Sequence, residues 1–144
     1  MKRETCGFGV LVAAVVGLAL ANPVLADSEA GIGVQLNKLE TDGEDCRAHL
    51  VLENGLEHEL ESFQPDLVVF DEDGIIARRM VVETGPLRAG STSVKAFRLE
   101  GLACERVGRV LLNDIAACEG PDGPVEGCED RVSVESLADV PLIR

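Results

Sequence analysis

"VVFDEDGIIARR", Val68 to Arg79, joins two apolar runs through Asp71-Glu72-Asp73-Gly74. Asp-Gly tolerates the positive φ of a tight hairpin turn, and the β-branched flanks favour extended chain. On this reading Phe70 ends one strand, Ile75-Ile76 starts the next, and the acids are solvated at the tip. The rival is a calcium loop. An EF-hand places oxygen ligands at alternate positions, glycine at the sixth and a bidentate Glu at the twelfth. Asp71 and Asp73 do alternate, but Gly74 stands fourth, and Ile75, Ile76 and Ala77 occupy places where ligands belong. The stretch reads as a hairpin, with Asp71 and Asp73 the metal candidates of the alternative.

The same grammar recurs outward from it. "CRAHLVLEN" sets Cys46, Ala48, Leu50 and Leu52 against Arg47, His49 and Glu53, and "RVSVES" sets Val132 and Val134 against Arg131, Ser133 and Glu135. Period-two alternation marks a half-buried strand. "DLVVF" and "RVLLNDI" are apolar on both faces, which suits central strands. A short helix over residues 109–118 is the competing reading of the second run. "GIIARRMVVE" is a further strand, and "STSVKAFRLEG" alternates imperfectly, which suggests a bulge. Turn residues at Asp42-Gly43, Asn54-Gly55, Asp73-Gly74, Gly85-Pro86, Ala89-Gly90 and "EGPDGPVEG" separate these runs. About seven strands at this spacing predict an all-β fold, a single two-sheet antiparallel β-sandwich of immunoglobulin-like type.

Residues 1–26 predict an export signal: Lys2-Arg3, an apolar run from Phe8 to Ala21, then Val24-Leu25-Ala26 before cleavage. The run falls short of the roughly 20 apolar residues that span a bilayer. Lys2-Arg3 is a poor twin-arginine motif, so the general secretory route is the default. The expected domain is then 27–144, with 11 basic and 25 acidic residues, net −14. So acidic a chain repels nucleic acid and anionic membranes. Without Trp or Tyr it also lacks the usual stacking platforms. Cys6 leaves with the signal, and the even count of Cys46, Cys104, Cys118 and Cys128 predicts two disulfides in an oxidising compartment. Of three connectivities, Cys46–Cys104 joins strand ends, and Cys118–Cys128 closes the Gly- and Pro-rich loop.

Little else carries chemistry. His49 should point outward from its strand, and His58 lies in the polar loop "ENGLEHELES" with Glu57, Glu59 and Glu61. Zinc needs three or four placed ligands, so His58 enters only the alternative metal-binding reading. "RAGST" is no nucleophile elbow, and no Cys-x-x-Cys suggests redox catalysis. Arg78-Arg79 are the adjacent basic pair of the expected domain. They balance acids across strands or dock an acidic partner.

The order "LVLENG", "DLVVFDEDGIIARR", "GPLRAGSTSVKAF" resembles exported β-sandwich modules of the FxLYD type, with Phe70 where those carry Tyr. "LNKLE", "DCRAHLVLENG", "DGIIARR", "GLACERVGRVLLND" and "VPLIR" resemble an uncharacterised exported family of alphaproteobacteria, often labelled twin-arginine signal proteins. That resemblance implies export and carries over no catalytic residue. The expectation is a periplasmic or secreted, non-enzymatic sandwich with no cofactor, binding or supporting an unknown protein partner through its loops or edge strands. A calcium- or zinc-dependent sensor is the alternative.

Overall fold

The computed structural model describes residues 30–144. The expected signal segment lies outside the described residues. Among the described residues nine strands form two sheets. Sheet 1 has the order β5-β2-β1-β8, built from β1 (Ile32–Asp42), β2 (Asp45–Asn54), β5 (Thr92–Leu99) and β8 (Val132–Ser136). Sheet 2 has the order β4-β3-β6, from β3 (Ser62–Asp71), β4 (Ile76–Val81) and β6 (Val107–Gly120). Two-residue strands β7 (Gly123–Pro124) and β9 (Leu142–Ile143) both pair with β6. The all-β sandwich is as expected. The orders β5-β2-β1 and β4-β3-β6 follow the E-B-A and C′-C-F arrangement of immunoglobulin-like sandwiches.

One core fills the space between the sheets. Ile32, Val34 and Leu36 of β1, Leu50 and Leu52 of β2, and Phe63, Leu67 and Val69 of β3 are buried there with Val110 and Leu112 of β6. The disulfide Cys46–Cys104, with Cα atoms 4.7 Å apart, ties β2 of sheet 1 to the 3-10 turn (Cys104–Arg106) that leads into β6 of sheet 2. Cys118–Cys128, 6.4 Å apart at Cα, closes the loop beyond β6.

Several expectations need correction. The sheets are mixed: β8 runs parallel to β1, and β9 parallel to β6. After β7 the chain crosses to sheet 1 and then returns, so its last two strands arrive in the direction of their neighbours. Residues 109–118 are strand rather than helix, because "RVLLNDI" has β3 as a ladder partner along its length. Strand β5 pairs with β2 without a register shift. Its imperfect alternation comes from Lys95, which faces inward at the sandwich rim and donates to the Gly85 carbonyl at 3.5 Å. The bulges lie elsewhere. In β6 the extra residues are Gly108, Asn113 and Ala116, unmatched in the register with β3. A Cβ on Gly108 would come within 2.3 Å of the Asp71 carbonyl oxygen, so only glycine fits that bulge.

Candidate functional site

The two metal candidates of the alternative reading sit at opposite ends of β3, some 30 Å apart by strand length. Asp71 and Asp73 occupy the β3–β4 turn, where Gly74 takes φ 80°. The Asp71 carboxylate is already committed. Its Oδ1 accepts the Asp73 N–H at 3.1 Å and the Ile75 N–H at 2.8 Å. His58 stands at the other end, in the loop preceding β3. That loop hangs on buried Asn54, whose amide donates to the His58 and Leu87 carbonyls and whose Oδ1 accepts from the Leu56 N–H. Among the described residues no three His, Cys, Asp or Glu side chains converge as a metal site would require.

The arginine pair has two separate tasks. Arg78 lies opposite Val69, whose side chain is buried, and so faces inward at the sheet edge. Its guanidinium crosses the rim to donate to the Glu100 carbonyl. Lys95 does the same from β5. An inward-facing cation on each of these edge strands opposes strand addition, which is a recurrent protection against edge-to-edge pairing. The β4 and β5 edges are therefore guarded against strand addition.

Arg79 points outward, opposite Val68. It donates to both oxygens of Asp66, with Nη2 2.7 Å from Oδ2, and Asn113 adds a bond of 2.9 Å from its bulge. The Asp66 side chain is 6% exposed and that of Arg79 65%. Arg79's hydrogen bonds hold the Asp66 carboxyl below the ordinary aspartate range. Burial opposes that shift, and Asn113 adds to it.

Register places Arg79 in a patterned outer face on sheet 2. One row across the strands reads Ile76, Phe70, Arg109; the next Arg79, Val68, Leu111, Ile143; the third Val81, Asp66, Asp114. Ile76 is 61% exposed, Val81 54% and Ile143 41%. The Arg109 guanidinium lies 4.4 Å from the Phe70 ring centroid, a cation–π contact. Among the described residues neither Arg109 nor Asp114 forms a salt bridge, although the Asp114 charge, after that of Asp66, helps to hold neighbouring Arg79 charged.

The outer face of sheet 1 differs in kind. Asp42 accepts from Arg47 at 2.5 Å and from Arg98 at 2.6 Å. Glu40 lies 3.2 Å from Lys38 and 2.8 Å from His49, whose hydrogen bonds hold its carboxyl below the usual range. His49 does point outward, as its alternation predicts. Gly33 leaves a groove of about 120 Å³ between Glu53 and Ser133. A larger hollow of about 480 Å³ opens between Leu39, Cys104 and the Leu137–Val140 loop, with Lys38, Glu105 and Asp139 around it. The groove is lined by the Ser133 hydroxyl with Glu53 and Glu135, and among the described residues no histidine or free thiol lines either hollow.

Comparisons of the chain with protein-family models, with curated proteins and with solved structures found no match. Among the described residues no helix is long and apolar enough to cross a membrane.

Proposed function

We propose that this chain is an exported, non-enzymatic β-sandwich that binds protein through the outer face of sheet 2. The supporting observation is the contrast between that face and its surroundings. A chain of net charge −13 there exposes Ile76, Val81 and Ile143 around two arginines. Exposed aliphatic side chains gathered on one face beside charges without salt bridges mark that face as the candidate interaction site. Its composition, aliphatic side chains with Arg and an aromatic ring, is that of an interface core. The non-enzymatic reading is supported by how the candidate groups are used: Asp71 and Asp66 accept structural hydrogen bonds, and His49 pairs with Glu40. Export is supported by the two disulfides, which belong to oxidising compartments.

Chemical crosslinking in the native periplasm tests both the face and the compartment. The wild type, Ile76→Asp on sheet 2 and Val94→Asp on sheet 1 are compared. Crosslinked protein, the chain itself included, should be lost with Ile76→Asp and kept with Val94→Asp. Equal crosslinking by all three overturns the proposed face.

A further inference from the structure

We infer that the protein seated on the outer face of sheet 2 is a second copy of this chain, packed about a two-fold axis. The inference rests on the reading of that face as a docking surface and names its occupant. The argument is the symmetry of the pattern. Arg109 and Asp114 both belong to β6, opposite Phe70 and Asp66 respectively, at the two ends of the patterned area. Those ends are four β3 residues apart, about 13 Å along the strand. The middle row, Arg79-Val68-Leu111-Ile143, lies between them.

A two-fold axis along that middle row turns one copy face to face with another. It keeps each strand over its own counterpart and exchanges the first row with the third. Arg109 then meets Asp114 of the second copy, and Asp114 meets its Arg109. Ile76 meets Val81, Phe70 meets the Asp66 that Arg79 covers, and Leu111 and Ile143 meet themselves above a buried Val68. A surface that pairs its unpaired cation with its unpaired anion under one rotation meets the requirement of an isologous interface. The self-facing Arg79 residues oppose the arrangement, but each is held by its own Asp66. A heterologous acidic partner fits less well, because it would leave Asp114 opposite like charge. Net repulsion between copies is screened beyond about 8 Å at physiological salt, whereas the contact pairs are not.

The four strands give a footprint of roughly 300 Å², small beside the ~800 Å² per partner of a standard interface. The dimer is therefore weak. Sedimentation equilibrium on the full chain from about 10 µM to 1 mM should show concentration-dependent dimer for the wild type. Arg109→Asp and Asp114→Arg should each weaken it about tenfold or more, and the double exchange should restore it. Mixing the two single variants should produce a heterodimer, since one then presents two acids where the other presents two arginines. Circular dichroism melts confirm that each variant is folded. A wild type that stays monomeric throughout overturns the inference, as does a double exchange that fails to rescue. If the monomeric protein still captures another protein in an Ile76-dependent way, the docking face stands and only its occupant is wrong.

Discussion

The two outer faces of this sandwich cover the same core and yet are built on opposite rules. On sheet 1 the cations are spent on acids: Asp42 holds two arginines, and Glu40 holds Lys38 and His49, while among the described residues Glu53 and Glu135 form no ion pair. On sheet 2 a buried aspartate is closed by one arginine, while a second arginine and a second aspartate stand unpaired beside exposed isoleucine and valine. A face whose cations are already held by its own acids has less to offer a partner, because those cations would have to be stripped of existing contacts. A face with apolar area and unmatched charge gains on being covered.

The largest expected difference lies in the backbone that shapes each face. Gly108→Val on β6 forces a side chain into the Asp71 carbonyl and should destabilise by about 3 kcal/mol in urea unfolding. Gly33→Ala on β1 meets only the Glu53 side chain, its Cβ at 3.5 Å and its Oε2 at 3.8 Å, ordinary contact, and should be nearly neutral. Equal losses would show that the two sheets are equally constrained. At the sheet 2 turn, Gly74→Val should cost about 1–2 kcal/mol, because a β-branched residue resists positive φ. Asp73→Ala should change stability by less than about 0.5 kcal/mol. An Asp73→Ala loss as large as that of Gly74→Val would revive a metal role for the acids.

Smaller again is the charge test. Arg79→Met removes the main partner of a buried carboxylate and should lower Tm by several degrees at neutral pH. Asp42→Asn on sheet 1 should shift it barely, since exposed pairs contribute little. The sign with pH follows from the lowered Asp66 pKa. The stabilisation is fully present above the ordinary aspartate value of 3.8 and is lost as pH falls through the lower folded value. The Tm gap between wild type and Arg79→Met should therefore close on acidification. A gap that persists under strongly acid conditions would assign the effect to packing of the arginine stem instead.

Much of the fold is legible in short range. "CRAHLVLEN" and "RVSVES" alternate because one face of each strand is buried, and both are strands. The Asp73-Gly74 hairpin is equally local, because φ 80° at Gly74 demands a residue without a side chain. Strand β1 escapes the same reading even though Ile32, Val34 and Leu36 alternate. Its register shifts at Asn37, after which Lys38 faces out and Leu39 in, so the period breaks halfway.

The sequence by itself determined the alternating strands, the turn chemistry and the even set of cysteines, since each depends on residues within a few positions of one another. Only the tertiary structure decided that β8 and β9 run parallel to their neighbours, and that Arg78 guards an edge while Arg79 closes over Asp66. It alone brought Ile76, Phe70 and Arg109 into one row. Those relations join residues distant in the chain, and they depend on strand register. Register here is set by packing across the core and by bulges at Gly108, Asn113 and Ala116, each of which moves the following side chains to the other face.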